Sequence, residues 1–77
     1  MTVANAVNSH AEGVGSRATG HTSHAEGSYS VASGPVAHAE GQETFSAGNV
    51  SHSEGLQTCA NGTGSHAEGI STAATGI

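Results

Sequence analysis

Ser9-His10-Ala11-Glu12-Gly13-Val14-Gly15 and Ser16-Arg17-Ala18-Thr19-Gly20-His21-Thr22 are two variants of one seven-residue phrase. The first variant returns at Ser23–Gly27, Ala37–Gly41, Ser51–Gly55 and Ser65–Gly69, each copy starting 14 residues after the last. Beneath that period lies a stricter one. Gly13, Gly20, Gly27, Gly34, Gly41, Gly48, Gly55, Gly62, Gly69 and Gly76 keep a spacing of seven without a gap. Two residues before them stands Ala, replaced only by Ser46 and Ser53; four before them stands Ser or Thr, replaced only by Ala37. Repetition at a fixed short period marks a stack of like units and takes precedence over local propensity as a fold signal.

Seven is also the heptad of a coiled coil, but that architecture needs bulky apolar residues at its a and d positions. Here Gly recurs instead, and each Gly costs a helix ~1 kcal/mol relative to Ala. Collagen requires Gly at every third position and is excluded as well. Within each unit the pattern alternates with period two. Ser or Thr, Ala and Gly share one face and the intervening residues the other, as in a strand. The Gly and two residues that follow are expected to turn a corner, because Gly tolerates φ > 0, so all ten periodic glycines are assigned to corners. Two units then close one 14-residue coil with two short strands of about five residues each. Some 5.5 coils stacked at ~4.8 Å predict a rod of roughly 26 Å. The expected fold is an all-β parallel β-solenoid over residues 1–77, taken as one unit.

Composition agrees with a thin interior. The 77 residues, 7.4 kDa, hold only ten Leu, Ile, Val and Phe against 12 Gly, 13 Ala and 11 Ser. Such a core does not offset the ~1–2 kcal/mol of backbone entropy per ordered residue. Association is the expected remedy in a small chain without staples. Six Glu against Arg17 alone give a net charge of −5, which leaves no basic footprint for nucleic acid. No apolar run approaches 18 residues and no signal-peptide pattern follows Met1, so no membrane contact is expected of this segment. Cys59 is the sole cysteine, which excludes an intrachain disulfide and a Cys-based zinc site. The pattern runs directly into both ends, as in a segment cut from a longer fibrous protein.

The run Ser9-x-Ala11-x-Gly13-x-x-Ser16-x-Ala18-x-Gly20, continued to Gly76, resembles the head repeats of trimeric autotransporter adhesins, the YadA-like heads. That resemblance implies a left-handed parallel β-roll, a homotrimer packed around a threefold axis, and an extracellular place on a bacterial surface. The family's more regular half-coil carries Val and Ile facing the axis. This chain carries His10/Glu12, His24/Glu26, His38/Glu40, His52/Glu54 and His66/Glu68 there instead. The His-Ala-Glu-Gly phrase is also similar to segments of phage tail fibres and tailspikes. Either resemblance implies a structural fibre or head segment that presents a host- or receptor-binding region.

Two faces compete for the contact between chains. One carries the five His/Glu pairs. The other varies through Val3/Asn5, Arg17/Thr19, Val31/Ser33, Phe45/Ala47, Cys59/Asn61 and Ala73/Thr75. Variation is what solvent tolerates and identity is what a repeated contact demands, so the His/Glu ladder is assigned to the trimer interface. Its carboxylates, bonded to imidazoles of the same or a neighbouring chain, are expected to have depressed pKa values. Val7, Val14, Leu56, Ile70 and Ile77 fall in the first corner position after the glycine slot, and Tyr29, Val36 and Val50 in the second.

Other chemistries fit less well. Six His and six Glu invite a metal- or anion-binding ladder, but the spacing matches no ligand motif and forms a row rather than a local cluster, so no cofactor is expected. No Ser, His or Glu of the repeat is set apart from its copies, as a nucleophile with its base requires, and no enzyme is expected. His21 lies outside the ladder at a corner and is expected to be exposed. A filament subunit built by end-to-end stacking is a third reading.

Overall fold

Because every fourteenth residue repeats in kind, the chain stacks like upon like. The computed structural model describes residues 2–4 and 8–75. Five long strands form one parallel sheet: β2 (His10–Val14), β4 (His24–Ser28), β6 (His38–Gln42), β8 (His52–Leu56) and β10 (His66–Ile70). Six two-residue strands form the other: β1 (Val3–Ala4), β3 (Arg17–Ala18), β5 (Val31–Ala32), β7 (Phe45–Ser46), β9 (Cys59–Ala60) and β11 (Ala73–Ala74). The register is a shift of one coil: His24 beside His38, Ala25 beside Ala39, Glu26 beside Glu40 and Gly27 beside Gly41. The chain is an all-β parallel solenoid of about five turns, measuring 27 × 20 × 9 Å. Its length agrees with the rod expected from stacking.

The two strands of a coil are unequal, five residues and two, where equal strands were expected. Backbone bonding gives the reason. The N–H groups of Thr19 and Gly20 both donate to the Ala32 carbonyl, at 3.0 and 3.4 Å, and the Ser23 N–H turns back to Gly20 O at 3.1 Å. A tight turn thus ends the short strand at once, and the same bonds recur one coil on at Ser33, Gly34 and Ala37.

The interior is as small as the composition implies. Ala18, Ala25, Ala32, Ala39 and Ala60 are wholly buried, and the largest fully buried side chains are Thr44 and Thr58. Several interleaved hydroxyls find partners there, though Ser23 Oγ and Ser51 Oγ do not. Ser46 Oγ donates to His38 O at 2.7 Å, and Thr44 Oγ1 donates to Ser30 Oγ at 3.1 Å.

The nine periodic glycines among the described residues are of two kinds, which corrects their common assignment to corners. Gly20, Gly34, Gly48 and Gly62 are buried at bends between strands. Space demands Gly there: a Cβ on Gly20 would stand 2.2 Å from the Gly34 carbonyl oxygen. Gly13, Gly27, Gly41, Gly55 and Gly69 lie inside the long strands instead, exposed, with φ between +104 and +111°. That φ interrupts the alternation and lets the Gly27 and Gly41 carbonyls accept from Ser16 Oγ (3.0 Å) and Ser30 Oγ (3.2 Å). The left-handed residue of each corner comes two places after the glycine. Asn8, Gly15, Thr22, Tyr29, Val36, Glu43, Val50, Gln57, Gly64 and Ser71 all have φ between +50 and +70°. Gly76, Asn5, Val7 and Ile77 lie outside the described residues.

Candidate functional site

Strand alternation turns Ala25 and Ala39 inward and therefore His24, Glu26, His38 and Glu40 outward. Register then sets each His on the next His. The five imidazole rings form one column with centroids 4.6–4.7 Å apart, nearly parallel from His24 to His66 and tilted by 37° between His10 and His24. The carboxylates thread this column in a zigzag. His38 Nε2 lies 3.7 Å from Glu26 Oε2 and 3.7 Å from Glu40 Oε1. His52 Nε2 lies 3.4 Å from Glu40 Oε2 and 3.8 Å from Glu54 Oε1. His66 Nε2 lies 3.3 Å from Glu54 Oε2 and 3.7 Å from Glu68 Oε1. At the first rungs the contacts are within one coil, His10 to Glu12 at 3.6 Å and His24 to Glu26 at 3.5 Å.

Like charges one rung apart cannot all ionise freely, and the column resolves this by alternation. Hydrogen bonding to the Glu26 and Glu54 carboxylates, with burial and their negative charge, pushes the Glu40 carboxyl up to about 7. The same bonds act oppositely on its neighbours. Glu54 is lowered to about 2 by hydrogen bonding with Glu40, Glu68 and His66, and Glu26 is lowered by hydrogen bonding with Glu40 and Glu12. Burial, then the positive charges of His52 and His24, lowers His38. The expected depression holds in direction at Glu26 and Glu54 and is reversed at Glu40, and stacked carboxylates perturb one another more than the imidazoles do.

No protein-family model, curated protein or solved structure matches the chain.

The stack also builds what the spacing in sequence concealed. His24, Glu26 and His38 bring three donor atoms within 4.8 Å of one another, and so do His38, Glu40 and His52, and the corresponding trios at either end. A row of pairs in the sequence becomes overlapping clusters in space. The available signal was the identity of the copies, which forces parallel in-register stacking at ~4.8 Å.

Away from the ladder, His21 is exposed at its corner. On the varied face Arg17, Phe45, Asn61, Ala73 and Thr75 are exposed and Val31, Ser33, Ala47 and Cys59 half-buried, with Cys59 Sγ donating to Asn61 Oδ1 at 3.2 Å. An open groove of about 620 Å³ runs between the Glu row and the exposed Gly13, Gly27, Gly41 and Gly55. Among the described residues no helix is long and apolar enough to cross a membrane.

Proposed function

We propose that the chain is a structural segment of a trimeric surface adhesin or phage tail fibre, a left-handed roll that stiffens the fibre and presents a host- or receptor-binding region. The observation that carries this reading is the thinness of the roll. It is 9 Å across with nothing larger than Thr fully buried among the described residues, while Val14, Tyr29, Val36, Phe45, Val50 and Ile70 stay exposed. Apolar groups that find no interior are covered by other chains. Val14 and Ile70 end β2 and β10, the strands that carry the first and last rungs. The left hand and the threefold axis come from the resemblance of the repeat to YadA-like heads. The fibre setting, outside the cell or on a virion, has the same source.

Sedimentation equilibrium at micromolar concentration tests it. The expected mass is three times the 7.4 kDa of the chain; a monomer overturns the proposal. His38→Arg on the ladder is expected to dissociate the trimer, whereas Ser33→Arg on the varied face leaves it intact. The reverse outcome moves the interface to the varied face.

A further inference from the structure

We propose that the ladder binds divalent transition-metal ions of the zinc class between its rungs, each ion held by one imidazole Nε2 and by the carboxylates of its own coil and the preceding one. The argument begins with orphaned atoms. Nε2 of His24, His38 and His52 is buried although the rings are about a third exposed, and none has a hydrogen-bond partner. Buried polar nitrogens are normally satisfied, so three in a row at equivalent positions call for an explanation.

Distances supply it. His38 Nε2 stands 3.7 Å from an oxygen of Glu26 and 3.7 Å from an oxygen of Glu40, and His52 Nε2 stands 3.4 and 3.8 Å from oxygens of Glu40 and Glu54. These gaps exceed the ~2.7–3.2 Å of an N–H···O bond. They match two metal–ligand bonds of ~2.0–2.2 Å meeting at a tetrahedral or somewhat wider angle, which span roughly 3.4–3.8 Å. One imidazole with two carboxylates selects zinc, copper or nickel over magnesium and calcium, which favour all-oxygen shells. Glu40 faces His38 with Oε1 and His52 with Oε2, so those two sites share a ligand and two ions there would stand one rung apart. Repulsion between the ions therefore leaves one of these two sites filled, and the His38 site, with Glu26 and Glu40 at equal distances, is the one expected to fill. All donors of a site come from one chain, so the inference stands apart from the trimer.

The experiment refolds the full chain from denaturant with excess ZnCl2, removes free metal, and measures bound zinc and the calorimetric affinity. MgCl2 and CaCl2 serve as parallel probes. Zinc is expected to stay bound and raise the melting temperature, with affinity falling on acidification as protons compete for the ligands. Glu40→Gln and His38→Asn are each expected to weaken zinc binding by about tenfold or more, and His21→Asn to leave it unchanged. A folded chain that retains no zinc, or variants that bind as well as the parent, overturn the inference. If neither variant folds, the imidazole nitrogen resonances of the parent decide: zinc shifts those of the ladder histidines, and a shift confined to His21 is the refuting result. A trimer that retains no zinc after refolding with it refutes this inference and leaves the fibre reading standing. A monomer that binds zinc does the opposite.

Discussion

A methyl group on Gly41 would stand 2.1 Å from the Gly55 carbonyl oxygen, at a φ of +109° that L side chains avoid. Gly64 offers the contrast, with φ +70° and open space around the missing Cβ. Gly41→Ala is therefore expected to destabilise the fold by about 3 kcal/mol and Gly64→Ala by about 1 kcal/mol in urea denaturation. Equal effects would refute the distinction between close approach and φ alone. Thr22 gives the converse case. It is β-branched, exposed and held at φ +50°, so Thr22→Asn is expected to stabilise by about 1 kcal/mol on the same measurement. At this scale the sequence was only half legible. The Gly period was plain, but the residues that bend the chain range from Tyr29 to Glu43 to Val36, and no residue type marks their row. The two glycines off the period, Gly15 and Gly64, both fall on it and were the overlooked sign.

Among the elements, the alternation of small and outward residues announced strands, and the copies announced their register. The inequality of the two strands was hidden, because it depends on Thr19 and Gly20 sharing one acceptor carbonyl rather than on residue type. The ladder itself was legible in its members and not in its electrostatics. For the metal-free chain the signs oppose. The folded value for Glu40 lies above its ordinary 4.5, so its contribution to stability is full below that value and is lost as pH rises through about 7. Glu26, Glu54 and His38 are lowered, so their contributions are present above their ordinary values and disappear on acidification, that of Glu54 only as pH nears 2. Glu40→Gln keeps the shape and the hydrogen bonding while removing the ionised form. The parent is expected to lose melting temperature between about pH 6 and 8, and the variant to show no such loss. Parallel curves for the two proteins would place the loss elsewhere.

At the scale of the molecule, the 14-residue coil is the unit that the sequence declared most openly. Excision of residues 29–42, one whole coil, joins Ser28 to Glu43 in register and is expected to preserve the β circular-dichroism spectrum while shortening the rod by ~4.8 Å. Excision of residues 29–35 sets a short strand over a long one and is expected to abolish cooperative unfolding. If the shorter deletion folds as well as the longer, seven rather than 14 is the structural unit. The thin interior was foreseeable from counts of Ala, Ser and Gly, and the corner positions of Val36 and Val50 from the period, whereas their exposure and left-handed backbone were not. Each turn holds only the turn above and the turn below. Pulled by its two ends, such a molecule yields as thread leaves a spool: the outermost winding peels, releasing roughly 45 Å of slack for each 4.8 Å of rod consumed, and the windings beneath keep their grip. A tether of this design absorbs a tug by lengthening in steps, and it does so without parting.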